Sequence, residues 1–250
     1  MSFFEHLTEL RKRLIYSVAA VAVGALLGFT VAQKVFELIA EPMRAALRAE
    51  NLQDRLIFTS PTGYISVIIT VALYIGIVLA APVVLYQIWL FIAPGLYRHE
   101  RRAVTTFICS SVFLLLSGVA FGYFVMLPYM LRFLIGLNTA YFTPLISINE
   151  YFDFILMVML GLGIVFQMPI LIFFLSLFGI VTPRFLWKNT RYAILIIAVV
   201  AAILTPTPDA LTMLIFMAPM IALYFVGIGV SAMVMRRKRR ADAVARQGAH

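Results

Sequence analysis

Two carboxylates set among arginines are the residues of this sequence best placed to do chemistry. Glu9 lies in His6-Leu-Thr-Glu-Leu-Arg-Lys-Arg13, and Glu100 lies in Phe91-Ile-Ala-Pro-Gly-Leu-Tyr-Arg-His-Glu-Arg-Arg102. A carboxylate in such a setting has two fates. Glu9 can pair with Arg13 one helical turn on, and Glu100 can stabilise the start of the helix that follows it through the helix dipole. Alternatively the two converge as acceptors for a cationic ligand, because a guanidinium offers a carboxylate two parallel hydrogen bonds. Trp89, Phe91 and Tyr97 would then add apolar or cation–π contacts, although Trp and Tyr at a membrane interface also serve simply as belt residues. At this level both fates stand open.

Other chemistries find little support. The histidines His6, His99 and His250 all fall in polar segments on one side of the apolar runs, so they form neither a Ser–His pair nor a metal cluster within them. No Gly-rich phosphate loop and no His-Glu-x-x-His pattern occurs. The sequence therefore predicts a protein that is not an enzyme and needs neither metal nor cofactor. An ion-coupled small-molecule transporter is the alternative class, but it needs titratable groups at membrane depth, and usually internal repeats. The most central polar side chain is Gln167, which does not titrate, and Asp153 and Asp209 sit near the ends of their spans.

What must position these residues is a membrane protein. The 250-residue chain is 63% hydrophobic and 12% charged, with a mean hydropathy of +1.01, and several apolar runs are long enough to cross about 30 Å of hydrocarbon. We expect an all-α polytopic fold with six transmembrane helices, at about 14–36, 62–90, 103–126, 154–178, 192–204 and 210–235. These make one membrane domain over 1–240, followed by a flexible tail at 241–250. Residues 2–13 read as a short amphipathic interfacial helix, and 33–60 as a structured cap broken at Pro42.

Gly24 and Gly28 permit close helix approach in the first span. Pro82, Pro169 and Pro219 suggest curved walls, and Pro128 a stop to the third span. The fifth span is too short for an unperturbed bilayer, so local thinning is expected there. The lone Cys109 has no partner for a disulfide.

The net charge of +9 reflects membrane orientation rather than nucleic-acid binding: fifteen of the twenty Lys and Arg fall in the N-terminus, the second and fourth loops and the tail. This predicts both termini in the cytoplasm. Only Glu5, Glu9, Glu100 and Asp242 are acidic on that face.

The Glu9 and Glu100 segments, together with Ala81-Pro-Val-Val-Leu-Tyr-Gln-Ile-Trp-Leu-Phe91, Tyr123-Phe, Phe166-Gln-Met-Pro169, Gly179-Ile-Val-Thr-Pro183 and the Thr-Pro-x-Pro-Asp209 turn, resemble the signature regions of the TatC family. These are the core signal-peptide receptors of the twin-arginine protein translocase. The likeness runs through nearly the whole chain. It implies a six-helix, glove-like fold in the bacterial cytoplasmic (inner) membrane. Such a protein recognises the paired arginines of signal peptides on folded cargo and uses the proton-motive force. It also scaffolds assembly with single-span TatA and, where present, TatB, alongside self-association.

By the same resemblance Glu9 and Glu100 correspond to the acidic recognition residues, with Arg11, Phe91, Tyr97 and Arg102 around them, and Asp209 to an outer-side acidic position. Family members commonly carry a glutamate where this chain has Gln167, on the concave face of the fourth span. If that position acts through polarity and hydration, Gln167 suffices. Gln167→Leu should then impair transport more than Gln167→Glu in an export assay, and equal export by Gln167→Leu and the unaltered protein would defeat the idea.

Overall fold

The computed structural model describes residues 3–53, 55–92, 101–136, 145–205 and 210–247, excepting the side chains of 3, 5–6, 92, 101–106 and 237–247. Among them, five helical stretches are long and apolar enough to cross a membrane: Leu7–Phe29, Gly63–Phe91, Phe107–Gly136, Ile148–Leu177 and Ala210–Arg236. A shorter apolar helix, Thr190–Leu204, takes the place of the predicted fifth span. The fold is all-α. The described β pairing is a short parallel bridge between Ile57 and Ser147. The chain divides into two compact units, Met1–Leu160 and Gly161–His250.

The first unit is built on an antiparallel helix pair, α1 (Phe3–Phe29) and α3 (Gly63–Ile92). The small residues expected to permit close approach do so. A Cβ on Gly24 would lie 2.7 Å from the Gly76 carbonyl oxygen, one on Gly28 would lie 2.8 Å from that of Ala72, and one on Gly76 would meet the Ala25 backbone. The helices touch through their backbones, and the gain is dispersion between well-fitted surfaces. α1 also departs from expectation. It runs unbroken through Arg13, because no Gly or Pro separates the amphipathic start from the apolar run, and it ends at Phe29 rather than near residue 36.

The residues that follow belong to α2 (Ala32–Ala49), whose apolar positions Phe36, Ile39, Ala40, Met43 and Leu47 line one buried face. The expected break at Pro42 does not occur. Proline removes the hydrogen bond to the carbonyl four residues back and crowds that turn, and here two tyrosines compensate. The Tyr123 hydroxyl donates to the Leu38 carbonyl at 2.8 Å, and the Tyr151 hydroxyl donates to the Ile39 carbonyl at 2.6 Å.

The expected stop at Pro128 is likewise absent. α4 (Arg101–Phe121) widens into a π-helical turn, Gly122–Met126, and continues as α5 (Leu127–Gly136). The wider turn accommodates the proline and carries Tyr123, which reaches α2. The start of α6 (Ile148–Val165) is pinned by Ile57, whose amide donates to the Ile146 carbonyl and whose carbonyl accepts from Ile148, both at 3.0 Å. Phe36 stacks on Phe152 at 4.7 Å inside the core of this unit.

In the second unit, α7 (Met168–Leu177) and α9 (Thr190–Leu204) pack on α10 (Ala210–Gln247). The Ser176 hydroxyl donates to that of Ser231 at 2.7 Å, and Gly227 makes room for the Ile172 side chain. α7 closes on Gly179, whose φ of +76° is the left-handed conformation a helix end of this kind needs. The predicted polar loop contains a further helix, α8 (Pro183–Lys188), capped by Thr182. The Leu186 carbonyl there accepts from the Tyr224 hydroxyl at 2.7 Å. α10 continues through Pro219 and the basic cluster to Gln247.

The glycine seam supplies a direct test. Gly76→Ala forces α1 and α3 apart and should cost about 1–3 kcal/mol, the usual range for overpacking. Gly136→Ala, where an added Cβ meets nothing within 4 Å, should leave stability unchanged. Thermal unfolding in mild detergent checks both, and equal melting of the two variants would disprove the seam's role.

Candidate functional site

Glu9 lies near the start of α1, and the helical repeat brings Arg13 onto its face. Arg13 Nη2 donates to Glu9 Oε1 at 3.0 Å, while Nη1 donates to Gln87 Oε1 of α3 at 3.1 Å. Of the two fates read from the sequence, the structure therefore displays the ion pair for Glu9. It is not a sealed pair. The side chains are 20% and 24% exposed, for Glu9 and Arg13 respectively, and together with Phe4, Thr8 and Lys12 they line an open pocket of about 490 Å³. The Thr8 hydroxyl turns back to its own helix, donating to the Phe4 carbonyl at 2.8 Å.

Arg13 is held by its two terminal nitrogens, whereas its buried Nε finds no acceptor among the described residues. A buried donor without a partner costs about 1–3 kcal/mol. Its grip on Glu9 is thus partly offset by that deficit. Gln87 gives Arg13 a second anchor that does not depend on Glu9.

The seam sets the level of these groups. Residue 28 faces 72, 24 faces 76 and 13 faces 87, so the same register puts Glu9 level with Phe91, which is half-buried near the end of α3. Other sequence candidates are placed differently. Arg11 is exposed, two residues from Glu9 and thus about 200° around the helix, so the structure does not bring it to the Glu9 face. Trp89 is 6% exposed and packs near Phe107 of α4, with ring centroids 6.5 Å apart, which removes it from the list of available cation–π partners.

Arg102 has its backbone in the first turn of α4, but its side chain lies outside the described residues, as do Tyr97, Glu100 and Asp209. Gln167 stands at the break between α6 and α7. Pro169 cannot continue the α6 hydrogen bonding, and the Gln167 carbonyl accepts instead from Ile170 and Leu171 at 3.1 and 3.0 Å. Its side chain does not cap α7.

Gln87 and Lys12 are the site residues not singled out from the sequence. The available signal for Gln87 was its place as a polar side chain in an otherwise apolar helix, four residues before Phe91.

Comparison with known proteins shows the family. The family described as Sec-independent protein translocase protein (TatC) matches residues 5–219. The Sec-independent protein translocase protein TatC of Koribacter versatilis is 47% identical over 99% of this chain and 92% of its own length. That of Aquifex aeolicus is 37% identical over 96% of this chain and 98% of its own. A solved crystal structure of a twin arginine translocase receptor, TatC, superposes with a TM-score of 0.80 at 37% identity, covering 92% of this chain and 99% of that one.

If Arg13 governs access to the carboxylate, Arg13→Gln should raise the rate of carbodiimide labelling at Glu9. The rise should reach up to about fivefold, equivalent to about 1 kcal/mol for a partly exposed pair. Mass spectrometry of the Glu9 peptide reads the rate, and an unchanged rate would show that Arg13 does not control the group.

Proposed function

This chain belongs to the TatC family of Sec-independent protein translocase proteins, and we propose that it binds the paired arginines of signal peptides through Glu9 and Glu100. It is a multi-pass membrane protein and a translocase component rather than an enzyme. The observation that carries the reading is the Arg13–Glu9 contact, 3.0 Å long in an open pocket: the carboxylate already holds a guanidinium, and the one it holds has a second anchor on Gln87.

An arriving arginine exchanges like for like. It takes over the charge-assisted hydrogen bond on Glu9, and Arg13 stays docked on Gln87, so no carboxylate is left bare during the exchange. A lysine offers a compact ammonium in place of the planar fork and gains less at such an acceptor. Phe91, level with Glu9, supplies apolar surface beside the pocket. Arg11, Tyr97 and Arg102 complete the proposed surroundings, with Arg11 on the opposite face of α1. The name of the solved relative, a twin arginine translocase receptor, supports the same ligand class.

The charge distribution supports an orientation with both termini in the cytoplasm of the bacterial inner membrane, where folded cargo arrives. In this reading the protein scaffolds a translocation site with copies of itself and the single-span proteins TatA and, where present, TatB, powered by the proton-motive force, with Asp209 on the outer side and Gln167 on the concave face.

The test is a cross-linking titration with a signal peptide bearing Arg-Arg and its Lys-Lys counterpart. Glu9→Gln and Glu100→Gln should each weaken Arg-Arg binding by roughly tenfold, the range for hydrogen bonds to charged groups. The double variant should lose the preference over Lys-Lys. Added salt should weaken the wild-type interaction, since groups near water are screened over about 8 Å. Retention of the preference in the double variant would overturn the assignment.

A further inference from the structure

A second concavity, at the opposite end of α1 from Glu9, gathers three arginines. It has a volume of about 440 Å³ and is lined by Phe36, Arg44 and Arg48 of α2, Arg55, Leu56 and Phe58 of the following segment, Tyr64 of α3 and Ile148 of α6. Arg44 and Arg48 stand one helical turn apart, a spacing at which like charges repel, and Arg55 adds a third guanidinium. Among the described residues, Glu41 pairs with Arg48 at 3.3 Å on an exposed surface, while the lining itself carries no carboxylate. So much positive charge around one hollow is stabilised by an anion placed in it.

The surroundings identify the kind of anion. Two of the membrane-crossing helices begin at the walls of this hollow, at Gly63 and Ile148, which sets it at headgroup depth. On its aromatic side Phe36 and Phe58 meet Tyr64 edge-on at 5.6 and 6.2 Å, and Phe58 is 57% exposed. From that wall Ile65, Ile69 and Leu73, all exposed and spaced four residues apart, lead down α3 into the hydrocarbon. A free phosphate would have no use for such a stripe.

We infer that Arg44, Arg48 and Arg55 form a binding site for the phosphate of an anionic phospholipid, whose acyl chains lie along Ile65, Ile69 and Leu73. Guanidinium groups fit phosphate oxygens bidentately, and Tyr64 and Phe58 occupy the interfacial level where aromatic rings settle. The site ties the cap to the bilayer surface. It holds whichever face of the membrane α2 occupies, and it is independent of the signal-peptide reading.

The experiment uses the full chain in nanodiscs of phosphatidylethanolamine containing a trace of photoactivatable phosphatidylglycerol. Cross-links should map to the residues around Phe58 and Tyr64. Substituting Arg44, Arg48 and Arg55 by Gln should weaken labelling there by about fivefold per arginine. Glu41→Gln removes the carboxylate that competes for Arg48 and should increase labelling, a change of sign that a folding defect cannot produce. Labelling that is insensitive to the arginines, or that falls in Glu41→Gln, overturns the site. Competition by millimolar glycerol phosphate as effective as that by short-chain phosphatidylglycerol would show a free-phosphate site and overturn the lipid assignment.

Discussion

The close approach of α1 and α3 is the constraint on which the rest of the first unit depends. With Gly24 and Gly28 against Gly76 and Ala72, the two backbones meet without intervening side chains, and helices in such contact cannot slide by a residue without a clash. The register that results is what brings Arg13 to Gln87 and sets Glu9 level with Phe91. A polar cluster is thereby positioned by an apolar seam three helical turns away. This division of labour suits a bilayer, where dispersion and fit, rather than hydrophobic burial, hold helices together.

A second constraint follows from the lack of water in that environment: a carbonyl freed by proline must find another donor. Pro42 and Pro128 show two solutions. At Pro42 two tyrosine hydroxyls reach across from other helices, and at Pro128 the helix itself widens to a π turn. The solutions are linked, since Tyr123 sits within the π turn that accommodates one proline and serves the carbonyl beside the other. At Gln167–Pro169 the helix breaks, and the Gln167 carbonyl takes the next amides.

These prolines mark the boundary of what was legible in the chain. The apolar runs, their number to within the short fifth helix, and the glycine seam on α1 could be read directly, because length, hydropathy and small-residue spacing are local properties. The continuity of α2 and α5 could not. In α2 it rests on tyrosine donors 85 and 112 positions from the carbonyls they serve, and in α5 on the π turn just ahead of Pro128; without these, proline reads as a stop. The candidate site divides in the same way. Glu9 and Arg13 are one turn apart and announce themselves, whereas the Gln87 anchor is 74 residues from Arg13 and is set only by packing. Arg11 illustrates the converse: nearness in sequence placed it with Glu9, and helical periodicity places it around the back.

Under the assignment proposed for Glu9, the Arg13 arrangement also bears on how selectivity for an arginine pair arises without a deep pocket. A bare carboxylate at the membrane surface would attract any cation, including the lysines abundant in cytosolic proteins. One already occupied by a guanidinium sets a threshold, since a newcomer must match what it displaces, and an ammonium does not reproduce the planar fork. Net affinity then rests on a difference between two guanidinium contacts of similar strength, and specificity on the weaker contact that an ammonium makes. On that proposed reading the contact is reversible. Gln87 keeps that difference small by holding Arg13 near at hand, so the resting pair re-forms as soon as the visitor leaves.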